Sequence, residues 1–294
     1  MITQRVKLLA ATVLAAAAVA LAPAAAQAQT DVEKEFIGFT TTNVQWLYGW
    51  NFNDNLLGYN PPTRAMMTIT FNNFTEWKYG DSFFFADLYS ANNLPGTCSS
   101  PSGTGNCGVN ANGPQNGWNA TLYAEWHPRV FINRILGQKG PFLGFIRNYG
   151  LAFEVNQGAG FQAYLAGLGM DFELPGYLNV GMNFYWRYSA VTGGFTQYQN
   201  TWQFSPFWTL PFSTGPVPWL FTGFVDIFEN PNGHIDVMAQ PELLLDVLGL
   251  AGGRHDRLYV GVEWYIHCYQ NVYPFAGTQK TVSAPQLMVQ WTIH

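Results

Sequence analysis

The chain has 294 residues, of which 17% are aromatic and only 11% are charged, and its 18 acidic and 13 basic residues give a formal net charge of −5. An average soluble domain contains roughly 25% charged residues, so this composition argues against an ordinary water-soluble surface. The acidic balance argues against a basic groove for nucleic acid, and we expect no nucleic-acid partner.

The first 28 residues have the pattern of a secretory signal peptide. Arg5 and Lys7 form a short basic start, an apolar run extends from Leu8 to Leu21, and Ala26-Gln27-Ala28 is a small-residue cleavage site. The alternative is an N-terminal membrane anchor, but the run is shorter than the roughly 20 residues that a helical span needs. We therefore predict export with cleavage after Ala28 and exclude residues 1–28 from the fold.

The segment from Thr40 to Phe52 alternates between apolar and polar side chains, which predicts a strand with one apolar face and one wet face. The odd-numbered face includes Asn43 and Gln45. Aromatic side chains gather toward one end of the even-numbered face, as they do where a lipid-facing strand meets the water interface: Trp46, Tyr48, Trp50 and Phe52.

The same alternation predicts twelve strands, an even number as a single-chain membrane barrel requires. No segment after the signal peptide approaches the roughly 18 uninterrupted apolar residues of a membrane helix. The predicted strands are Thr40 to Phe52, Ala65 to Tyr79, Ser82 to Ser90, Trp118 to Arg129, Asn148 to Asn156, Gln162 to Glu173, Tyr177 to Arg187, Asn200 to Thr209, Trp219 to Phe228, Ile235 to Asp246, Arg257 to Tyr269 and Pro285 to His294.

We therefore predict an all-β protein in which residues 29–294 form one antiparallel transmembrane β-barrel in the bacterial outer membrane, with lipid against its apolar face. A soluble lipocalin-like barrel or β-sandwich would also alternate, but it would bury its apolar face and expose the polar one. The tryptophans near strand ends and the export signal favour the membrane barrel.

In each predicted strand, we expect the alternate positions that carry polar side chains to line a lumen. Acidic, basic and aromatic residues alternate there, a mixture that suits a neutral polar solute with a flat face, because rings stack on planar heterocycles and carboxylates bind hydroxyls. Alternatively, opposite charges pair across the lumen only to satisfy one another. The candidate solute-binding residues are Glu76, Lys78, Phe83, Phe85, Asp87, Tyr123, Glu125, Arg129, Tyr185, Arg187 and Glu263.

Catalytic motifs are missing from the sequence, which contains no G-x-S-x-G elbow, no H-E-x-x-H and no phosphate loop. A barrel phospholipase would place a serine and a histidine on the outer face near the rim, whereas His127 and His267 have inward parity. We therefore predict that the protein is not an enzyme and has no cofactor.

Three cysteines remain to be placed. Cys98 and Cys107 lie in a Gly/Ser/Pro-rich stretch, close enough to form a disulfide within one loop in an oxidising compartment, or they are two free thiols. Cys268 is left over, and the cysteine spacing fits no metal site.

Several motifs in a shared order resemble the Tsx-like nucleoside-specific outer-membrane channels, over nearly the whole chain from Phe39 to Trp291. The resemblance implies a monomeric twelve-stranded barrel that passes nucleosides by diffusion through weak aromatic and ionisable sites, among them Glu76 and Lys78, Phe83, Phe85 and Asp87, and Glu125 and Arg129. The motifs are Thr42-Asn43-Val44-Gln45-Trp46-Leu47-Tyr48-Gly49, Glu76-Trp77-Lys78-Tyr79-Gly80-Asp81, Tyr123-x-Glu125-Trp126-x-Pro128-Arg129, Gly167-Leu168-Gly169-Met170-Asp171-Phe172, Gln240-Pro241-Glu242-Leu243-Leu244-Leu245-Asp246 and Gly261-Val262-Glu263.

A passive channel for nucleosides is thus the leading functional hypothesis. Two others remain open: a pore for sugars or other small polar solutes, and a closed barrel that acts as a surface receptor or adhesion module through its loops.

Overall fold

The computed structural model describes residues 36–54, 61–92, 118–138, 140–158, 161–191, 197–230, 233–270 and 279–293. The predicted signal peptide and the predicted Cys98–Cys107 disulfide lie outside these ranges. Cys268 carries a free thiol.

The predicted strands are confirmed, and they form one closed antiparallel barrel. Consecutive strands pair in chain order, and closure comes from the pairing of the first strand with the last. The strands are β1 (Ile37–Gly49), β2 (Met66–Trp77), β3 (Gly80–Asn92), β4 (Trp118–Phe131), β5 (Ile146–Gly158), β6 (Phe161–Phe172), β7 (Asn179–Val191), β8 (Gln197–Thr214), β9 (Val217–Glu229), β10 (Ile235–Ala239), β11 (Glu242–Asp246), β12 (Leu258–Gln270) and β13 (Gln279–Thr292).

Strands β10 and β11 are two halves of the tenth predicted strand, so the barrel wall is twelve strands wide. Both halves pair with β9 on one side and with β12 on the other. The interruption falls at Gln240 and Pro241, because proline has no backbone N–H to donate to the ladder.

The connections define two ends of the barrel. At the turn end, two-residue turns join β2 to β3 and β8 to β9, whereas the connections after β4 and β11 contain the four-residue helices α1 (Ile132–Ile135) and α2 (Val247–Leu250). The connection from β6 to β7 is also at this end, and the opposite end, here called the loop end, carries the connections after β1, β3, β5, β7, β9 and β12. No helix in the described parts of the chain is long and apolar enough to cross a membrane.

The outer face of the barrel is an apolar belt. Its exposed side chains are aliphatic, such as Ile69, Leu122, Leu151 and Val260, or aromatic at mid-strand, such as Phe71, Phe153, Phe184 and Trp264. Exposed aromatic rings lie toward the loop end (Tyr48, Trp50, Tyr164, Tyr188) and toward the turn end (Phe39, Phe142, Phe145, Phe212). An apolar band between two aromatic borders is the surface of a transmembrane barrel, and closed single-chain barrels of this kind span the bacterial outer membrane. The chain is an outer-membrane β-barrel.

One predicted lipid-facing residue lies inside. The alternation of β1 holds through Tyr48, but Phe52 is fully buried, with its ring centroid 5.8 Å from that of Tyr265. The strand ends at Gly49, and Asn51 adopts a left-handed backbone with φ 66°. That conformation, which asparagine tolerates better than most residues, reverses the parity, so the prediction that Phe52 faces lipid is wrong.

Gly223 lies on β9 opposite the interruption between β10 and β11. Its φ of 142° is a conformation available essentially to glycine alone. A Cβ atom there would lie 2.4 Å from the carbonyl oxygen of Gln240 and 2.9 Å from Cα of Pro241. The break in the tenth strand therefore depends on a glycine in its neighbour.

Gly223→Ala is expected to lower the free energy of unfolding by about 2 kcal/mol, since the Cβ adds a backbone overlap to a strained φ. The matched control is Gly252→Ala, which also has a positive φ of 75° but no neighbouring atom within 4 Å of the new Cβ. Its expected loss is about 1 kcal/mol. Urea unfolding in detergent micelles measures both, and equal losses would contradict the role given to the close backbone approach.

Candidate functional site in the barrel lumen

The inner wall carries many charged and amide side chains that are nevertheless shielded from water. Arg129, Glu154, Asp171 and Gln203 each expose 4% or less of their surface. Because buried polar groups are stable only when they are hydrogen-bonded, the inner wall must be held together by side-chain contacts between strands. Four such groups, one aromatic patch and an inward-reaching connection at the loop end make up the candidate site.

The lumen arginine cluster consists of Asp81, Arg129 and Asp171. Arg129 donates through Nε and Nη2 to the two oxygens of Asp81, at 2.8 Å for the Nε contact, and through Nη1 to Asp171 at 2.6 Å. Asn148 donates to the second oxygen of Asp171 at 2.8 Å. Gly169 lies beside this cluster, and a Cβ there would lie 2.7 Å from Oδ1 of Asn183. One cation thus ties β3, β4 and β6 together.

The lumen histidine cluster consists of Glu125, His127 and Glu154 on β4 and β5. His127 Nε2 lies 2.7 Å from Oε2 of Glu125, and His127 Nδ1 lies 3.4 Å from Oε2 of Glu154. Tyr123 donates its hydroxyl to the other oxygen of Glu125. This cluster holds two carboxylates against a single imidazole.

A hydrogen-bonded chain extends from Glu154 toward β9. Arg187 donates to Oε1 of Gln203, whose amide nitrogen lies 2.9 Å from Oγ of Ser205. Ser205 in turn donates to Asp226 at 2.6 Å. The Arg187 guanidinium also lies 4.5 Å from the ring centroid of Phe228.

The aromatic patch is formed by Phe83 and Phe85 on β3 and Tyr123 on β4. The ring centroids of Phe83 and Phe85 are 5.9 Å apart, and those of Phe85 and Tyr123 are 6.1 Å apart. His127 extends the patch, because its ring stacks on Phe85 at a centroid distance of 6.4 Å and an interplanar angle of 20°. These separations are typical of offset or tilted ring contacts.

The acidic group consists of Asp87, Glu242 and Glu263, which interact electrostatically with one another. Asp87 accepts hydrogen bonds from Thr70 at 2.5 Å and Tyr89 at 2.7 Å, and Glu263 accepts one from Gln286 at 2.6 Å. Asp87 shares the inner face of β3 with the aromatic patch and pairs with Tyr123 across the ladder. Carboxylates and rings are therefore side by side on this wall.

The connection after β1 reaches inward at the loop end. Asp54 is fully buried, and its Oδ2 accepts from the Tyr265 hydroxyl at 2.7 Å and contacts His267 Nδ1 at 2.6 Å. Lys280 donates to the backbone oxygen of Asn53. The beginning of this connection is thus fixed to β12 and β13.

His267→Ala is expected to lower the free energy of unfolding by about 2 kcal/mol, because the buried Asp54 carboxylate would lose a partner. His255→Ala is the matched control: His255 also contacts an aspartate, Asp246, at 2.8 Å, but 64% of its side chain is exposed. Its loss should stay below about 1 kcal/mol. Guanidinium unfolding curves for both variants provide the measurement, and a control that loses as much stability as His267→Ala would refute the argument from burial.

Nine of the eleven predicted site residues lie on the inner wall, and two lie at the turn end. Glu76 pairs with Arg134 at 2.7 Å and has 41% of its side chain exposed. Lys78 is exposed in the turn between β2 and β3, with its Nζ 5.5 Å from the Tyr79 ring centroid. Lys78 therefore does not line the strand-bounded lumen, because β2 ends one residue before it. The inner-wall residues are Phe83, Phe85, Asp87, Tyr123, Glu125, Arg129, Tyr185, Arg187 and Glu263.

The eleven candidate residues leave out several residues of these clusters, among them Asp54, Asp81, His127, Glu154, Asp171 and Gln203. Asp81 fell in the gap between the predicted strands that end at Tyr79 and begin at Ser82. Its odd number places it on the same face of β3 as Phe83 and Phe85, which could have revealed it. Asp54 follows Asn51, whose positive φ reverses the alternation of side chains. The alternating pattern of the sequence therefore does not indicate that Asp54 points inward.

Comparison with protein-family models found no match, and neither did comparison with curated proteins. Among solved structures, a KdgM porin in complex with disordered oligogalacturonate is similar, with 7% identity, a TM-score of 0.41, and 87% of this chain and 100% of that chain covered. OccK11 (OpdR) of Pseudomonas aeruginosa has 10% identity, a TM-score of 0.28, and 88% and 96% covered. OpdK of the same species with vanillate has 8% identity, a TM-score of 0.28, and 88% and 99% covered. At such low similarity, the fold assignment depends on the strand pairing of this chain itself.

Proposed function

We propose that this barrel is a passive outer-membrane channel for small polar solutes, and that nucleosides are its preferred solutes. The observation that carries the proposal is the wall on which Phe83, Phe85 and Tyr123 lie beside the carboxylate of Asp87. A nucleoside offers a flat base to the rings and ribose hydroxyls to the carboxylates. The barrel encloses its own lumen, and we propose that it acts as a monomer.

The expected binding is weak. Stacking on an aromatic side chain contributes about 1–3 kcal/mol per base in nucleic-acid binders, and a channel conducts only if its solute leaves as readily as it enters. Because Asp87 and Glu263 already accept hydrogen bonds from the wall, a ribose has to use their remaining acceptor sites. We therefore expect brief occupancy and partial current block rather than tight capture.

Liposome swelling with adenosine, thymidine and sugars of equal size tests the selectivity. Nucleosides should enter faster than the sugars, and equal rates would refute nucleoside preference while leaving a general pore. Current block by added nucleoside in planar bilayers gives a second readout. Phe85→Ala should weaken that block about 10-fold, whereas Phe153→Ala, which removes a lipid-facing ring that is 38% exposed, should not change it.

The tight packing of the inner wall favours a second candidate, a closed barrel that acts as a receptor through its loops. Glu154, Asp171 and Gln203 expose 1% or less of their surface, as expected where a polar core fills a barrel. If no solute enters the liposomes and no current is seen, the channel proposal fails and this candidate remains.

A further inference from the structure

The lumen histidine cluster brings together donor atoms that the proposed channel function does not need. One ligand atom from each of Glu125, His127 and Glu154 lies within 4.8 Å of the other two. Glu125 and Glu154 are buried, and both β4 and β5 are regular strands at this point. A site carried by two rigid neighbouring strands is held in place more firmly than one on a loop.

The two contacts of His127 are unequal. The 2.7 Å contact between Nε2 and Glu125 has the length of a hydrogen bond, so Nε2 donates and the Tyr123 hydroxyl fixes the other side of the same carboxylate. The 3.4 Å separation between Nδ1 and Oε2 of Glu154 is longer than an ordinary N–H···O bond, for which about 2.7–3.2 Å is usual. If the imidazole is neutral with its proton on Nε2, it presents a lone pair at Nδ1.

In that tautomer Nδ1 and Oε2 of Glu154 face each other as two acceptors, and either a proton added to Nδ1 or a metal ion between them satisfies both. Atoms that bind a tetrahedral metal at about 2.0–2.2 Å are themselves about 3.4 Å apart, which matches the separation of Nδ1 and Oε2 of Glu154. A histidine that binds a metal through one nitrogen commonly donates the other N–H to a carboxylate. Glu125 is placed to accept that bond.

A third donor is adjacent. Asn156 is 4% exposed, pairs with Glu125 across the ladder, and hydrogen-bonds Glu154 through its side chain. Its Oδ1 is buried and has no hydrogen-bond partner among the described residues. A buried oxygen without a partner costs free energy that a bound cation would remove.

We propose that Nδ1 of His127, the carboxylate of Glu154 and Oδ1 of Asn156 form a binding site for a divalent transition-metal ion in the lumen wall, with Glu125 as the positioning residue for His127. Mixed nitrogen and oxygen donors suit ions such as Zn²⁺ rather than Ca²⁺ or Mg²⁺, which prefer oxygen alone. The negative charges of Glu125 and Glu154 match the charge of such an ion. The site does not depend on the channel being selective for nucleosides.

Zinc titration of the purified full barrel in detergent, followed by calorimetry, tests the proposal. We expect one saturable site per chain, and Co²⁺ in place of Zn²⁺ should give the visible absorption of a low-symmetry nitrogen and oxygen site. Glu154→Gln and His127→Gln should each weaken zinc binding at least 10-fold, and Glu125→Gln should weaken it about 10- to 100-fold through the loss of positioning.

His255→Gln is the control, because it removes an exposed imidazole next to Asp246 at the turn end and should leave the affinity unchanged. Heat-modifiable migration on gels establishes that each variant is folded before titration. Absence of a saturable site in the unaltered barrel would overturn the proposal, in which case a proton bridges His127 and Glu154. The proposal would also be overturned if folded Glu154→Gln and His127→Gln variants bind zinc as tightly as the unaltered barrel.

Discussion

Arg129→Ala is expected to lower the free energy of unfolding by about 3–5 kcal/mol, because it leaves two buried carboxylates without their cation. Asp81 and Asp171 are 5% and 1% exposed, and Arg129 is their common partner. The cost comes mainly from the stranded charges rather than from the loss of attraction alone. Urea titration of the barrel in detergent, followed by tryptophan fluorescence, gives the free energy.

Two further variants separate this cause from general damage. Arg134→Ala removes an arginine that pairs with the exposed carboxylate of Glu76 and also donates to Asn148 and to the backbone oxygen of Trp77. Because it leaves no buried carboxylate without a cation, it should cost about 1–2 kcal/mol, less than Arg129→Ala. Adding Asp81→Asn and Asp171→Asn to Arg129→Ala removes the unpaired charges and should recover part of the loss. If the triple variant is no more stable than Arg129→Ala, the explanation by uncompensated charge is wrong.

Leu151→Arg is expected to cost about 2–4 kcal/mol when the barrel folds into phospholipid vesicles, the range for a cation on the lipid face near the middle of the bilayer. Leu151 points outward from the middle of β5 and is 43% exposed. Leu250→Arg is the control, since Leu250 is similarly exposed at 45% but lies in α2 at the turn end. Guanidinium-induced unfolding from the vesicles measures both.

The comparison tests the assignment of the outer face directly. In a soluble barrel both leucines would meet water, and both substitutions would then cost nearly the same. Similar free energies for Leu151→Arg and Leu250→Arg would therefore refute the lipid-facing belt.

The strands could be predicted because strand side chains alternate with a period of two, and that alternation survives in a single sequence. Outward Trp46 and inward Gln45 lie where parity places them. The alternation no longer predicts side-chain direction where a strand ends. The positive φ of Asn51 turns Phe52 inward, and β2 ends at Trp77, so Lys78 lies outside the strand-bounded lumen. Both errors come from extending the alternation past a boundary that the sequence does not mark.

The contacts within the site could not be predicted, because parity says which way a side chain points but not what lies opposite. Arg129 reaches Asp171 on β6 because the register of β5 places the two side chains at the same level of the wall. His127 meets Glu154 because Glu125 pairs with Asn156. Strand register depends on the whole set of neighbouring contacts, so a search for local metal motifs passes over donors that are split between two strands.

The pairing of β1 with β13 has a consequence for assembly. The ladder that joins Asn43 to Thr292 and Gly49 to Gln286 is the seam of the wall, and it can form only after every other strand has been made. Until then the incomplete sheet has two free edges, and the unpaired backbone amides on those edges can pair with strands of other chains. A chaperone or a template that covers those edges during biogenesis would therefore prevent pairing with other chains until the seam closes.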